Sequence, residues 1–126
     1  MRISSSRRIL YVDDDPDSCL LIGLMLQQFN EDYGVIAVGS VQKALDLIND
    51  LGFDLYILDY RMPEMSGVEF CRLIRQTDAE TPIMIYSAVL RDADRLEALN
   101  AGANAFLIKP NDIDRLNETV EQLLNC

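Results

Sequence analysis

The 126 residues are 49% hydrophobic with only four prolines, enough apolar material for one domain with a real core. Acids outnumber bases 21 to 11, and the net charge of -10 repels a phosphate backbone, which argues against direct nucleic-acid binding. No apolar run approaches the roughly 20 residues that span a bilayer, the N-terminus lacks an apolar signal core, and three widely spaced cysteines suit neither a disulfide framework nor a CxxC metal site. A cytoplasmic location with reduced cysteines and no membrane partner is the expectation. Histidine is absent, so any phosphohistidine must come from another molecule.

A basic arm over residues 1–8 precedes a domain expected to run over 9–126. Arg8 to Val12 is short, apolar and partly β-branched, which predicts a buried strand ended by acids. Asp15 and Pro16 supply an N-cap and a first helical residue for a helix through Phe29. Val35 to Val38 is a second strand, and Ser40 caps a helix whose Val41, Ala44, Leu45 and Ile48 share one face before Gly52. Phe53 to Leu58 predicts a third strand, Val68 to Arg75 a helix, Ile83 to Tyr86 a fourth strand, and Arg91 to Ala101 a helix before Gly102. Ala105 to Ile108 is the fifth strand, and Asp112 begins a helix with Ile113, Leu116, Val120, Leu123 and Leu124 on its apolar side.

Five strands alternating with five helices demand an α/β fold, a doubly wound parallel sheet covered on both faces by right-handed crossovers. Ligands of such sheets bind beyond the carboxyl ends of the strands. Strand one ends in Asp13-Asp14-Asp15, strand three in Asp59, strand four in Ser87, and strand five in Lys109 before Pro110. These converge if the strand order is the flavodoxin-like 2-1-3-4-5. Crowded carboxylates repel one another unless a divalent cation neutralises them, and oxygen-only ligands favour Mg²⁺ or Mn²⁺. Such an ion and Lys109 would neutralise a phosphoryl group bound at Asp59, with Ser87 donating a hydrogen bond. Asp15 reads simply as a helix cap, Asp54 as an edge or turn residue outside the site, and Gly67 and Gly102 as backbone devices.

These residues resemble those of response-regulator receiver domains over nearly the whole chain. The family's acidic pair resembles Asp13 and Asp14, and its phosphoacceptor resembles Asp59 in Asp59-Tyr60-Arg61-Met62-Pro63-Glu64-Met65-Ser66-Gly67. Its switch hydroxyl resembles Ser87, followed by small Ala88, and its lysine resembles Lys109, whose bond to Pro110 is commonly cis in the family. The resemblance implies that Asp14 and Asp59 ligate the metal directly, Asp13 through water, and Arg61 through its backbone carbonyl. It implies a histidine kinase or histidine phosphotransfer protein docking beside the first helix. It also implies an output or phosphorylation-dependent dimer surface around the fourth helix, fifth strand and fifth helix, with an unknown downstream effector. Phe106 stands where a rotating aromatic, often tyrosine, reports phosphorylation, and it lacks the hydroxyl. The chain is expected to carry no output domain, as a free-standing regulator, a relay intermediate or one domain cut from a longer protein.

The resemblance makes the chain a switch that catalyses only its own phosphoryl transfer and dephosphorylation. Two other functions compete with it. A phosphorylation-independent docking or dimerisation module would not need a complete acidic pocket. An aspartate-nucleophile phosphatase would use the D-x-D of Asp13-Asp14-Asp15, but that pattern breaks at Asp17 and leaves Asp59 unexplained.

Overall fold

In a computed structural model that describes residues 6–88 and 91–125, strands and helices alternate as β1 (Arg7–Val12), α1 (Pro16–Phe29), β2 (Tyr33–Val38), α2 (Val41–Asp50) and β3 (Leu55–Leu58). They continue as α3 (Gly67–Arg75), β4 (Ile83–Ser87), α4 (Asp92–Asn100), β5 (Ala105–Ile108) and α5 (Ile113–Leu124). Most of the basic arm, residues 1–5, lies outside the described residues, as does Cys126. The sheet is parallel with order β2-β1-β3-β4-β5, the doubly wound arrangement expected from the sequence. No helix among the described residues is long and apolar enough to cross a membrane.

Alternation along the central strands divides the core into two layers. Leu10, Val12, Leu58, Ile83 and Ile85 point to one face and pack with Val41 and Ala44 of α2, Phe70 and Ile74 of α3, and Ala98 of α4. Ile9, Tyr11, Ile57, Met84 and Leu107 point to the other, against Ile22 and Leu26 of α1 and Leu116 and Val120 of α5. Each Leu or Ile removed from water contributes about 1.5–3 kcal/mol, and truncating one such as Leu58 to Ala would cost about 2–5 kcal/mol.

Helix starts follow local chemistry. Asp15 accepts from the Asp17 N–H at 3.0 Å ahead of Pro16, and Ser40 accepts from the Lys43 N–H at 3.2 Å. Ser66 and Glu69 form a reciprocal capping box at 3.0 and 3.2 Å.

Several boundaries differ from the sequence expectation. β1 starts at Arg7 and β2 at Tyr33, because residues 7 and 33 pair and so extend the ladder backwards. β3 is shorter than Phe53 to Leu58: Phe53 is buried without being in a strand, and Asp54 accepts the Arg8 N–H with its side chain at 2.8 Å. α4 stops at Asn100 and starts after Arg91. Asp112 precedes α5 without capping it, since its carboxylate turns back to the Ile108 N–H at 2.8 Å.

Register brings the strand ends together. Val12 lies beside Leu58 and Ser87 beside Ile108. The Asp59 N–H donates to Val12 O at 2.9 Å and the Lys109 N–H to Ser87 O at 2.8 Å, so the residues just after β1, β3 and β5 and the last residue of β4 reach one edge.

Candidate functional site

At that edge Asp13, Asp14, Asp59, Arg61, Ser87, Ala88 and Lys109 line one open cleft of about 210 Å³, with Asp15 and Ser18 at its side. Every residue predicted for the site is in this cleft except Phe106. Asp13, Asp14 and Asp59 each offer a carboxylate oxygen, and the three oxygens lie within 4.8 Å of one another. Asp15 lines the wall but spends its carboxylate on the first turn of α1, receiving the Asp17 N–H and the Ser18 hydroxyl, as expected of a cap.

The two members of the acidic pair differ in exposure. Asp14 faces solvent, whereas Asp13 is only 1% exposed. Its Oδ1 accepts the Asp15 N–H at 3.0 Å, and its Oδ2 accepts both the Tyr11 hydroxyl at 2.8 Å and the Lys109 ammonium. Lys109 Nζ also lies 5.4 Å from the centroid of the Tyr86 ring, and the Lys109-Pro110 bond is cis.

Asp59 is 8% exposed. Burial raises its pKa above the ordinary carboxylate value, Lys109 pulls it down and Asp13 pushes it up, while the Ser87 hydroxyl and the Tyr60 N–H lower it by hydrogen bonding; the net direction is up. Burial and then Asp13 drive the Tyr11 phenol far upward, so its proton stays in place as a donor at physiological pH. Lys109 is the ammonium beside three clustered acids, and a hard divalent cation suits such a set of oxygen donors.

The loop after Asp59 is held by close packing. Gly67 N–H donates to Tyr60 O at 2.7 Å, and the glycine backbone presses so near Asp59 that a Cβ there would lie 2.2 Å from the Asp59 carbonyl oxygen. Glu64 of the same loop accepts the Val41 N–H at the start of α2 at 3.2 Å.

Phe106 is buried among the α2, α3 and α4 packing, with the Arg95 guanidinium 5.7 Å from its ring centroid. It therefore already points inward in this structure. Two tyrosines join the surroundings of the site without being announced by the spacing of the acids. Tyr11 could have been found from strand period, since Asp13 follows β1 directly with its N–H still donating to Val38 O of β2, two positions on from Tyr11 and so on the same face. Tyr60, whose hydroxyl donates to Asp94 of α4 at 3.3 Å, could not, because that contact links a loop to a helix 34 residues away.

Comparison with known proteins agrees with this geometry. The family model described as the response regulator receiver domain matches residues 9–121. The transcriptional regulatory protein ZraR of Salmonella typhimurium is 39% identical over 116 residues, 92% of this chain and 26% of that protein. The response regulator ArlR of Staphylococcus epidermidis is 35% identical over 116 residues, covering 92% of this chain and 52% of that protein. The chain thus spans a quarter to a half of the length of these relatives. Among solved structures, the response regulator TrrA of Thermotoga maritima in complex with Mg²⁺-BeF superposes with a TM-score of 0.82 at 31% identity, over 93% of this chain and 98% of that one. The Vibrio cholerae chemotaxis protein CheY4 superposes with a TM-score of 0.86 at 26% identity, over 94% of this chain and 99% of that one. With its strand order, its converging acids and these likenesses, the chain belongs to the response-regulator receiver domain family.

Proposed function

We propose that Asp59 is the phosphoacceptor, taking a phosphoryl group from a phosphohistidine of a histidine kinase or histidine phosphotransfer protein. The observation that carries this reading is the gathering of three carboxylates within 4.8 Å, with the Lys109 ammonium beside them, in one open cleft. Asp14 and Asp59 would hold Mg²⁺ directly, Asp13 through water and Arg61 through its backbone carbonyl, and Mn²⁺ would satisfy the same oxygen donors. Bound there, the ion would neutralise charge on phosphoryl oxygens.

An Asp59 carboxylate oxygen forms the new bond to phosphorus as the donor's N–P bond breaks and its electron pair returns to the imidazole. The Ser87 hydroxyl, which faces Asp59 across the same cleft, donates to a phosphoryl oxygen, and small Ala88 leaves the mouth open. Lys109 leaves Asp13 to pair with another phosphoryl oxygen. A movement of Ser87 towards the phosphoryl group would pass through Phe106, which is already inward and would answer by repacking and not by turning in, to the surface formed by α4, β5 and α5, where Leu96 and Leu99 are exposed for an effector protein or a phosphorylation-dependent second copy.

On α1, exposed Leu20 and Leu24 border a groove of about 530 Å³ that reaches Asp13 and Asp14, which supports docking of the donor's helix beside α1. An aspartate-nucleophile phosphatase using Asp13 fits poorly, because that acid is buried and engaged by three donors.

The test is intact-mass spectrometry with Mg²⁺ and acetyl phosphate or phosphoramidate, beside Asp59→Ala and an EDTA control. A labile gain of one phosphoryl mass in the parent alone, lost with EDTA, is expected. Undiminished labelling of Asp59→Ala would overturn the assignment.

A further inference from the structure

We propose that Tyr11 is a positioning residue for phosphoryl binding: its buried hydroxyl keeps Asp13 oriented and hydrogen-bonded when Lys109 leaves that acid for the phosphoryl group. This inference rests on the reading of Asp59 as phosphoacceptor.

Asp13 Oδ2 carries two donors of different kinds, the Tyr11 hydroxyl and the Lys109 ammonium. Tyr11 belongs to β1 and is paired on both sides, with Ala37 of β2 and Ile57 of β3, and its side chain is fully buried. Its ring has nowhere to go, so its hydroxyl is a fixed donor. Lys109 lies beyond the end of β5, has a partly exposed side chain, and holds its ammonium on a flexible stem between Asp13 and the Tyr86 ring. It can move.

Once Lys109 pairs with a phosphoryl oxygen, Asp13 retains the Asp15 N–H on Oδ1 and the Tyr11 hydroxyl on Oδ2. Without the phenol, Oδ2 of a carboxylate that is 1% exposed would lose both of these protein donors at the moment the phosphoryl group binds. A buried acceptor stripped in that way is costly. Phenylalanine would fill the same place among Ile22, Ile57, Tyr86 and Leu116, so the packing does not require the hydroxyl.

The experiment is isothermal titration calorimetry on the parent and Tyr11→Phe, first with Mg²⁺ alone and then with beryllofluoride at saturating Mg²⁺. Mg²⁺ alone does not require Lys109 to leave Asp13, so its affinity should stay within about twofold of the parent. Beryllofluoride affinity should weaken about tenfold, the loss of one hydrogen bond to a charged acceptor. A role confined to packing would lower the melting temperature and move both affinities by one factor or neither. Equal weakening of the two, or unchanged beryllofluoride affinity, overturns the proposal for Tyr11 alone.

A parent that takes up no beryllofluoride defeats the Asp59 reading and this proposal with it. A second measurement uses the parent only: with ¹³Cζ-tyrosine and ¹⁵Nζ-lysine labels, beryllofluoride should move the Lys109 resonance and leave Tyr11 in its hydrogen-bonded position. A Tyr11 resonance displaced to a free-phenol shift would overturn the proposal.

Discussion

Gly67→Ala drives a methyl group into the backbone of the residue proposed to carry the phosphoryl group. Its Cβ would lie 2.2 Å from the Asp59 carbonyl oxygen, 3.0 Å from the Asp59 carbonyl carbon and 3.2 Å from Cα of Tyr60. All three are backbone atoms, so no side-chain rotation relieves the clash. Reaching an ordinary C···O approach of about 3.3 Å requires a displacement of about 1 Å between the end of β3 and the start of α3. Overpacking of this kind costs about 1–3 kcal/mol. At about 2.1 cal/mol/K of unfolding entropy per residue, about 265 cal/mol/K for the chain, that is a fall in Tm of about 4–11 °C.

Phosphoryl transfer should suffer separately, because a misplacement of about 1 Å in a reacting group can cost about 100-fold in rate. Calorimetric melting and an intact-mass time course with acetyl phosphate and Mg²⁺ read the two effects. Gly23→Ala is the control: nothing lies within 4 Å of its added Cβ, and replacing glycine inside α1 should stabilise by about 0.5–1 kcal/mol. A Gly67→Ala protein that melts within about 1 °C of the parent and labels at the parental rate would refute the reasoning.

Asp59→Asn should abolish labelling yet melt no lower than the metal-free parent at neutral pH. Burial and Asp13 raise the Asp59 pKa in the folded state, so its favourable contribution is complete below its unfolded pKa and is lost as pH rises through the raised folded value. The melting advantage of Asp59→Asn should therefore shrink on acidification, which a pH series of melts would check. Mg²⁺ should raise the Tm of the parent and do so less in Asp14→Asn and in Asp59→Asn, as read by thermal melts with and without EDTA; equal Mg²⁺ stabilisation in all three would argue against the cation site. Asp94→Ala should lower the Tm, since that carboxylate accepts the Arg91 N–H and the Tyr60 hydroxyl. The Arg91 N–H holds its pKa below the ordinary value, so the contribution is present above the unfolded pKa and fades as pH falls through the folded one; an unchanged melt at neutral pH would refute it.

Much of the molecule was legible in the residue order because the signals are local. Apolar runs ended by Asp13, Asp59, Ser87 and Lys109 marked the strands and their functional ends, and Asp15 and Ser40 sit where helix N–H groups need acceptors. Boundaries were less legible where pairing with a neighbour decided them. Residues 7 and 33 extend their strands because they face each other across the ladder, and Asp112 misses its expected place in α5 because the Ile108 N–H needs its carboxylate.

From sequence alone came the α/β class, the alternation of elements, and which four strand ends carry chemistry, since hydrophobic period and charge are properties of neighbouring residues. Only the tertiary structure decided that Lys109 rests on Asp13, that Tyr11 shares that acid, that Gly67 abuts Asp59, and that Phe106 lies inward. The Lys109 and Phe106 contacts join residues distant in the chain, the Gly67 contact closes a loop of eight residues, and the Tyr11 contact takes its meaning from Lys109, 96 positions from Asp13. Distances across such separations are set by register and crossover packing, which no window of sequence contains.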